Sequence, residues 1–248
     1  MDDRRRPVAV LALGVVVVVA LIWALGRADD GDAPGTATVA LVCGVPVSLF
    51  AETPRALDDS QASREVRGDP SLIGGAIPKL WRMYEVGDER RYVGGQPPTV
   101  HVTSLQRDGA RWKWASGGGC TTFVEPPGRS SALWAIPSIG VDRTASIFEV
   151  MAADRQCASG RSAEERVGQA EVVETDSTVT VTFTASRPEG EFQNCPGHAN
   201  AKRTVELRAP LGERTLLDGG IFPAQPPCIE GAATEQAEYC RGFFYRSS

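Results

Sequence analysis

The sequence predicts a mainly β protein, an antiparallel β-sandwich or open barrel placed behind a single N-terminal transmembrane helix. Three observations carry that prediction. Twenty uncharged, mostly apolar residues run from Pro7 to Gly26, six cysteines all lie downstream of them, and short alternating segments follow, separated by Gly, Asp and Pro.

Arg4, Arg5 and Arg6 precede the apolar run. At about 1.5 Å per helical residue, twenty residues span roughly 30 Å, the thickness of a bilayer core, and the arginines hold the N-terminus inside. Five consecutive valines from Val15 leave no polar face for a buried soluble helix. The run is longer than a secretory core, so an uncleaved signal anchor is the reading, with cleavage after Ala24, Leu25 and Gly26 as the alternative. No cysteine lies near it, which removes the lipoprotein route. The chain then divides into a stub and anchor over 1–28, β-rich halves over 29–138 and 139–226, and a disulfide-stapled tail over 227–248.

Arg27 to Thr36 reads as a solvated linker. Its Asp29, Asp30 and Asp32 do not make a calcium loop, because no glutamate closes the twelve-residue pattern. Val39 to Val47 is a β-rich run broken by Gly44 and Pro46, and Glu52 to Pro70 has apolar residues for a short helix at most. Trp81 to Val86 and Arg91 to Val93 flank Gly87 and Asp88 as a hairpin. Thr99 to Leu105 alternates, Asp108 and Gly109 turn the chain, and Trp112 and Trp114 share one face of the return, read as a core wall. A sugar-stacking platform is the alternative use of two such indoles. Glu125 to Ser131 is a Pro and Gly rich break. Ile147 to Ala152, Glu171 to Glu174, Thr178 to Ala185 and Thr204 to Arg208 read as strands, with a turn at Asp176 and Ser177.

Cys43, Cys120, Cys157, Cys195, Cys228 and Cys240 all fall in the exported part and read as three disulfides of an oxidising compartment. Six cysteines allow fifteen pairings. Cys157 and Cys195 each close a segment beside the same predicted hairpin, Cys228 and Cys240 staple the tail, and Cys43 with Cys120 remains by elimination. None has the C-x-x-C spacing of a redox or zinc motif.

Cys157-Ala-Ser-Gly-Arg161, Asn194-Cys195-Pro-Gly197 and Pro210 to Gly220, ending Leu-Leu-Asp-Gly-Gly, together resemble a recurrent motif set. The set belongs to exported or membrane-anchored actinobacterial proteins of unknown function. Trp112 with Gly117 to Cys120 resembles its upstream part, and the likeness covers roughly residues 78–224. It implies a β-rich extracytoplasmic domain and supplies no catalytic residues. From the residues themselves, the glycines and Pro196 set turns, and Cys157 with Cys195 ties two loops into a rim where Arg161, His198 and Asp218 form a candidate binding surface. Within that rim Arg161 and Asp218 are read as an ion pair.

Composition excludes several classes. Without residues 1–27 the chain carries 22 basic and 29 acidic residues, a formal charge of −7 that repels nucleic acid and anionic lipid. The two histidines, His101 and His198, have no metal-motif spacing, and no cofactor fingerprint occurs, since the glycines at 117–119 open no helix. No G-x-S-x-G or S-x-x-K motif marks a nucleophile, although Ser159, His198 and Asp218 make a triad on paper. The sequence therefore reads as a single-pass, membrane-anchored extracytoplasmic module, non-catalytic, with a cell-envelope protein or polymer as partner. An exported hydrolase is the alternative.

Overall fold

The computed structural model describes residues 40–72, 77–157, 159, 161–187, 194, 199–231 and 239–240. The predicted anchor and linker lie outside the described residues. Among the described residues no helix is long and apolar enough to cross a membrane.

Cys43 and Gly44 carry φ of 52° and 75°, the left-handed pair that lets β1 (Leu41–Val42) return at once as β2 (Val45–Pro46). A 3-10 turn, Val47–Ala51, leads into an extended arm over 52–58. The short helix α1 (Gln61–Arg67) buries one turn of apolar residues, Ala62 and Val66, together with Ser63. Ser60 caps it, its Oγ accepting the Ser63 N–H at 3.2 Å. A second 3-10 turn, Pro70–Leu72, follows.

Four strands then form a meander: β3 (Trp81–Val86), β4 (Glu89–Gln96), β5 (Thr99–Asp108) and β6 (Arg111–Thr121). Both hairpins turn where expected, with Gly87 and Gly109 at φ 57° and 58°. One face of the meander, through Trp81, Tyr92 and Leu105, packs on Ala62, Val66 and Leu72. The other, through Val93 and Val100, packs on Val45 and Leu49. The Cys43–Cys120 disulfide pins the β1–β2 turn to the end of β6.

The predicted core wall of tryptophans is corrected here. Trp112 is half-buried and Trp114 is 39% exposed, because β6 is an edge strand that a seven-residue helix covers only in part. Arg90 and Arg107 lie over the Trp112 ring at 4.4 and 5.7 Å.

The Pro and Gly rich stretch is a tight turn between β7 (Val124–Glu125) and β8 (Arg129–Ser131), closed by the Arg129 N–H on the Pro126 carbonyl at 3.1 Å. Beyond it come β9 (Leu133–Ile136), β10 (Ile147–Ala153), the single turn α2 (Ala163–Arg166), β11 (Glu171–Glu174) and β12 (Thr178–Thr182). The chain continues through β13 (Thr184–Ser186), β14 (Ala201–Glu206), β15 (Thr215–Asp218) and β16 (Cys228–Ile229).

One sheet has the order β14-β10-β9-β16, another β11-β12-β15, and β13 pairs with β8. Their common core joins Trp134, Phe148, Val150 and Val205 to Val179, Val181, Phe183 and Leu216. The expected continuous strand from Thr178 to Ala185 divides at Phe183, which is wholly buried with its ring 5.9 Å from that of Trp134. The chain bends there and passes from one sheet to another. Most strand pairs are antiparallel as expected, while β12 with β15 and β9 with β16 are parallel.

The two halves are knitted by main-chain bonds. β1 pairs with β7, and the Phe222 N–H donates to the Thr122 carbonyl at 2.7 Å. All described residues belong to one unit, Val39–Ser248. Cys228 and Cys240 are joined as expected, fixing the tail to β16. Cys157 is disulfide-bonded, while its expected partner Cys195 lies outside the described residues.

Candidate functional site

His101 and Thr103 are two residues apart on β5 and so face the same side, toward the 3-10 turn at Pro70–Leu72. Asp69 meets them there. Its Oδ1 accepts the Ser71 N–H at 2.8 Å and the Ser71 hydroxyl at 2.6 Å, while Oδ2 accepts the Thr103 hydroxyl at 2.6 Å and faces His101 Nε2 at 3.2 Å. Burial alone would raise the pKa of this carboxyl, but the bonds from Ser71, Thr103 and His101 outweigh it and hold the pKa at about 2. Gly117 opposite is required, since a Cβ there would overlap Asp69 Oδ2.

Serine, histidine and aspartate are thus adjacent, yet not as a relay. A triad uses the two imidazole nitrogens in turn, one on the serine and one on the acid. Here the single atom Nε2 faces both Ser71 Oγ, at 3.3 Å, and Asp69 Oδ2, and the serine proton is donated to Asp69. The arrangement holds a carboxylate in place and does not activate a hydroxyl. Among the described residues no group of three or more His, Cys, Asp or Glu is placed to hold a metal ion.

The predicted rim is only partly assembled. Ser159 and Asn194 exchange hydrogen bonds, the Ser159 N–H donating to the Asn194 carbonyl at 2.9 Å and the Asn194 N–H to Ser159 Oγ at 3.2 Å. That brings the two motif loops together. Arg161 is exposed, His198 lies outside the described residues, and Asp218 is wholly buried at the end of β15. The expected Arg161–Asp218 ion pair is corrected: Asp218 Oδ1 accepts the Gly220 N–H and its Oδ2 has no hydrogen-bond partner among the described residues. Of the triad read from Ser159, His198 and Asp218, the serine is exposed, the aspartate is buried and the histidine lies outside the described residues.

Asp218 has its own environment. Oδ1 accepts the Gly220 N–H at 2.8 Å, whereas Oδ2 and the buried Trp134 indole nitrogen have no hydrogen-bond partner. Burial pushes the carboxyl up to about pKa 7. The Gly220 N–H, the nearby Trp134 indole N–H and the Arg155 charge pull back part of that shift. Tyr239 of the tail covers this region. Its hydroxyl donates to the Pro226 carbonyl at 2.9 Å, and its own pKa is raised by burial and by Asp218.

A cleft of about 370 Å³ opens between the arm, the start of α1 and strands β3 and β4. Trp81, Tyr92 and Met83 supply apolar surface, with Glu52, Arg55, Asp58 and Arg82 among its polar residues. Sequence reasoning missed this cleft and the Asp69 cluster. Asp69-Pro70-Ser71 does carry a local signal, an aspartate that accepts from the main chain two residues on. No family model, curated protein or solved structure matches the chain.

Proposed function

We propose that the protein is an extracytoplasmic, non-catalytic binding module of β-sandwich type. It is anchored by the predicted N-terminal helix and engages a component of the cell envelope. The observation that carries this reading is the uneven distribution of exposed apolar side chains. Among the described residues eight large ones are exposed, and five of them, Ile77, Leu80, Met83, Val86 and Trp114, lie on or beside the β3–β6 meander. Exposed apolar residues concentrated on or beside one sheet favour a contact surface there. The disulfides Cys43–Cys120 and Cys228–Cys240 agree with an oxidising compartment.

The test is crosslinking of tagged full-length protein on intact cells, followed by mass spectrometry of what is recovered. A reproducible partner lost in Trp114→Ser with Val86→Ser supports the reading, and recovery unaffected by that pair of substitutions overturns it. The hydrolase alternative rests on the nearness of Ser71, His101 and Asp69. It predicts covalent labelling of Ser71 by a fluorophosphonate, and the donation of the serine proton to Asp69 argues for no labelling.

A further inference from the structure

The two edges of the meander are treated differently. A two-residue hairpin at Gly87 and Asp88 makes Val86 and Glu89 a hydrogen-bonded pair, so Arg82, Tyr84 and Val86 direct their main-chain groups at β4. Trp81, Met83 and Glu85 direct theirs outward. The outward groups of Trp81 are taken by Arg55, with bonds of 2.7 and 2.8 Å. Pro54, without an N–H, precedes that residue, and the arm leaves the strand there. Met83 and Glu85 have no main-chain partner on this side among the described residues. On the far edge, by contrast, the Gln61 side chain satisfies both outward groups of Trp112, at 2.5 and 3.0 Å.

We propose that the open β3 edge at Met83 and Glu85, with the cleft beside it, docks an extended polypeptide segment of a partner protein as a fifth strand of the meander. Outward N–H and C=O groups alternating every second residue, roughly 6.8 Å apart, match the main chain of a strand. Natural edges are normally covered or charged, and this one is uncovered at Met83, which also lines the cleft of about 370 Å³. Met83, 46% exposed beside Trp81 and Tyr92, offers it an apolar contact, and Arg55 and Arg82 are among the polar residues of the cleft.

A second copy of the chain fits poorly. Two-fold pairing that uses both open residues sets Met83 against Glu85 and Arg82 against Val86, leaving each charge opposite an apolar side chain. The proposal deepens the binding-module reading and rests on it for the existence of a partner.

The experiment uses the full-length, oxidised protein in detergent, panned against a phage-displayed library of short random linear peptides. Selected peptides should bind wild type and lose about tenfold or more in Met83→Pro, which deletes one outward donor and spares the ladder to β4. A second measurement does not depend on that variant folding. Methylating alternate main-chain nitrogens of a selected peptide should abolish binding for one parity and spare the other, and bound peptide should slow amide exchange at Met83 and Glu85. Binding indifferent to both the proline and the methyl groups, or failure to select any peptide, overturns the proposal. Exchange slowed by protein concentration rather than by peptide also overturns it, in favour of a second copy. A partner recovered from cells equally by wild type and Met83→Pro leaves the binding-module reading standing and removes only this site. A peptide that binds here with no partner on cells does the reverse.

Discussion

Asp69 and Asp218 are the same residue, both shielded from solvent, and they ionise at about pH 2 and about pH 7. Asp69 lies under a thin cover and its two oxygens face four polar groups, the Ser71 N–H and hydroxyl, the Thr103 hydroxyl and His101 Nε2. Asp218 is deeper, with one main-chain donor on one oxygen and an unpartnered second oxygen. Burial raises both pKa values, more strongly for the deeper Asp218, so the difference comes from depth together with the donors supplied. The first half of the protein holds a carboxylate as a charged strut, and the second half keeps a carboxylic acid near neutrality beneath its tail.

The largest expected effect tests the deep acid. A folded pKa above the unfolded 3.8 means that Asp218 favours the fold most below about pH 4 and loses that contribution as pH rises toward 7. The rise from 3.8 to about 7 corresponds to ~4 kcal/mol. Urea unfolding of wild type and Asp218→Asn from pH 4 to pH 8 should show stability falling in the first relative to the second. Parallel profiles would mean that Asp218 ionises normally in the fold. The next effect tests the strut: Asp69→Ala strands the donors of Ser71, Thr103 and His101, and should cost about 3 kcal/mol at pH 7 in the same assay. A loss under about 0.5 kcal/mol would show that water replaces the carboxylate there.

How far each site was legible follows from how local its causes are. The meander hairpins are written in short stretches, alternation on both sides of Gly87-Asp88 and of Asp108-Gly109, and they form as read. The tail disulfide is likewise near in sequence, with a separation of 12. Asp218 reads in sequence as a rim residue in a turn motif, paired with Arg161, and its burial is hidden because it depends on Trp134 from β9 and Tyr239 from the tail. Asp69 lies 32 and 34 residues from His101 and Thr103, so sequence shows the Asx turn to Ser71 and hides the cluster. Phe183 shows the same limit: the alternation around it was visible, while the bend that moves the chain between sheets depends on which distant strands receive it.

Smaller effects sharpen the contrast at Asp69. Gly117→Ala places a methyl group against Asp69 Oδ2, and overpacking at this closed contact should cost about 2 kcal/mol. The same substitution at Gly118, which has open space above it, should cost much less, and equal losses would show that the strand and not the carboxylate demands glycine.

Removal of one donor gives the finest test. Ser71→Ala takes away the hydroxyl at 2.6 Å and leaves the main-chain N–H at 2.8 Å, so about 1 kcal/mol of stability should go with it. Because the lost bond favours the charged form, the Asp69 pKa should also rise from about 2 toward the ordinary value. Its contribution to stability, present above about pH 4 and lost as pH falls through 2, should shrink accordingly, by ~1 kcal/mol or less once solvent screening is allowed for. Carbon-detected titration of the aspartate carboxyls would resolve both groups at once. A resonance for Asp69 that moves up in Ser71→Ala while that of Asp218 stays near 7 would tie each ionisation to its own donors. A shift of both would require coupling across the seam between β1 and β7.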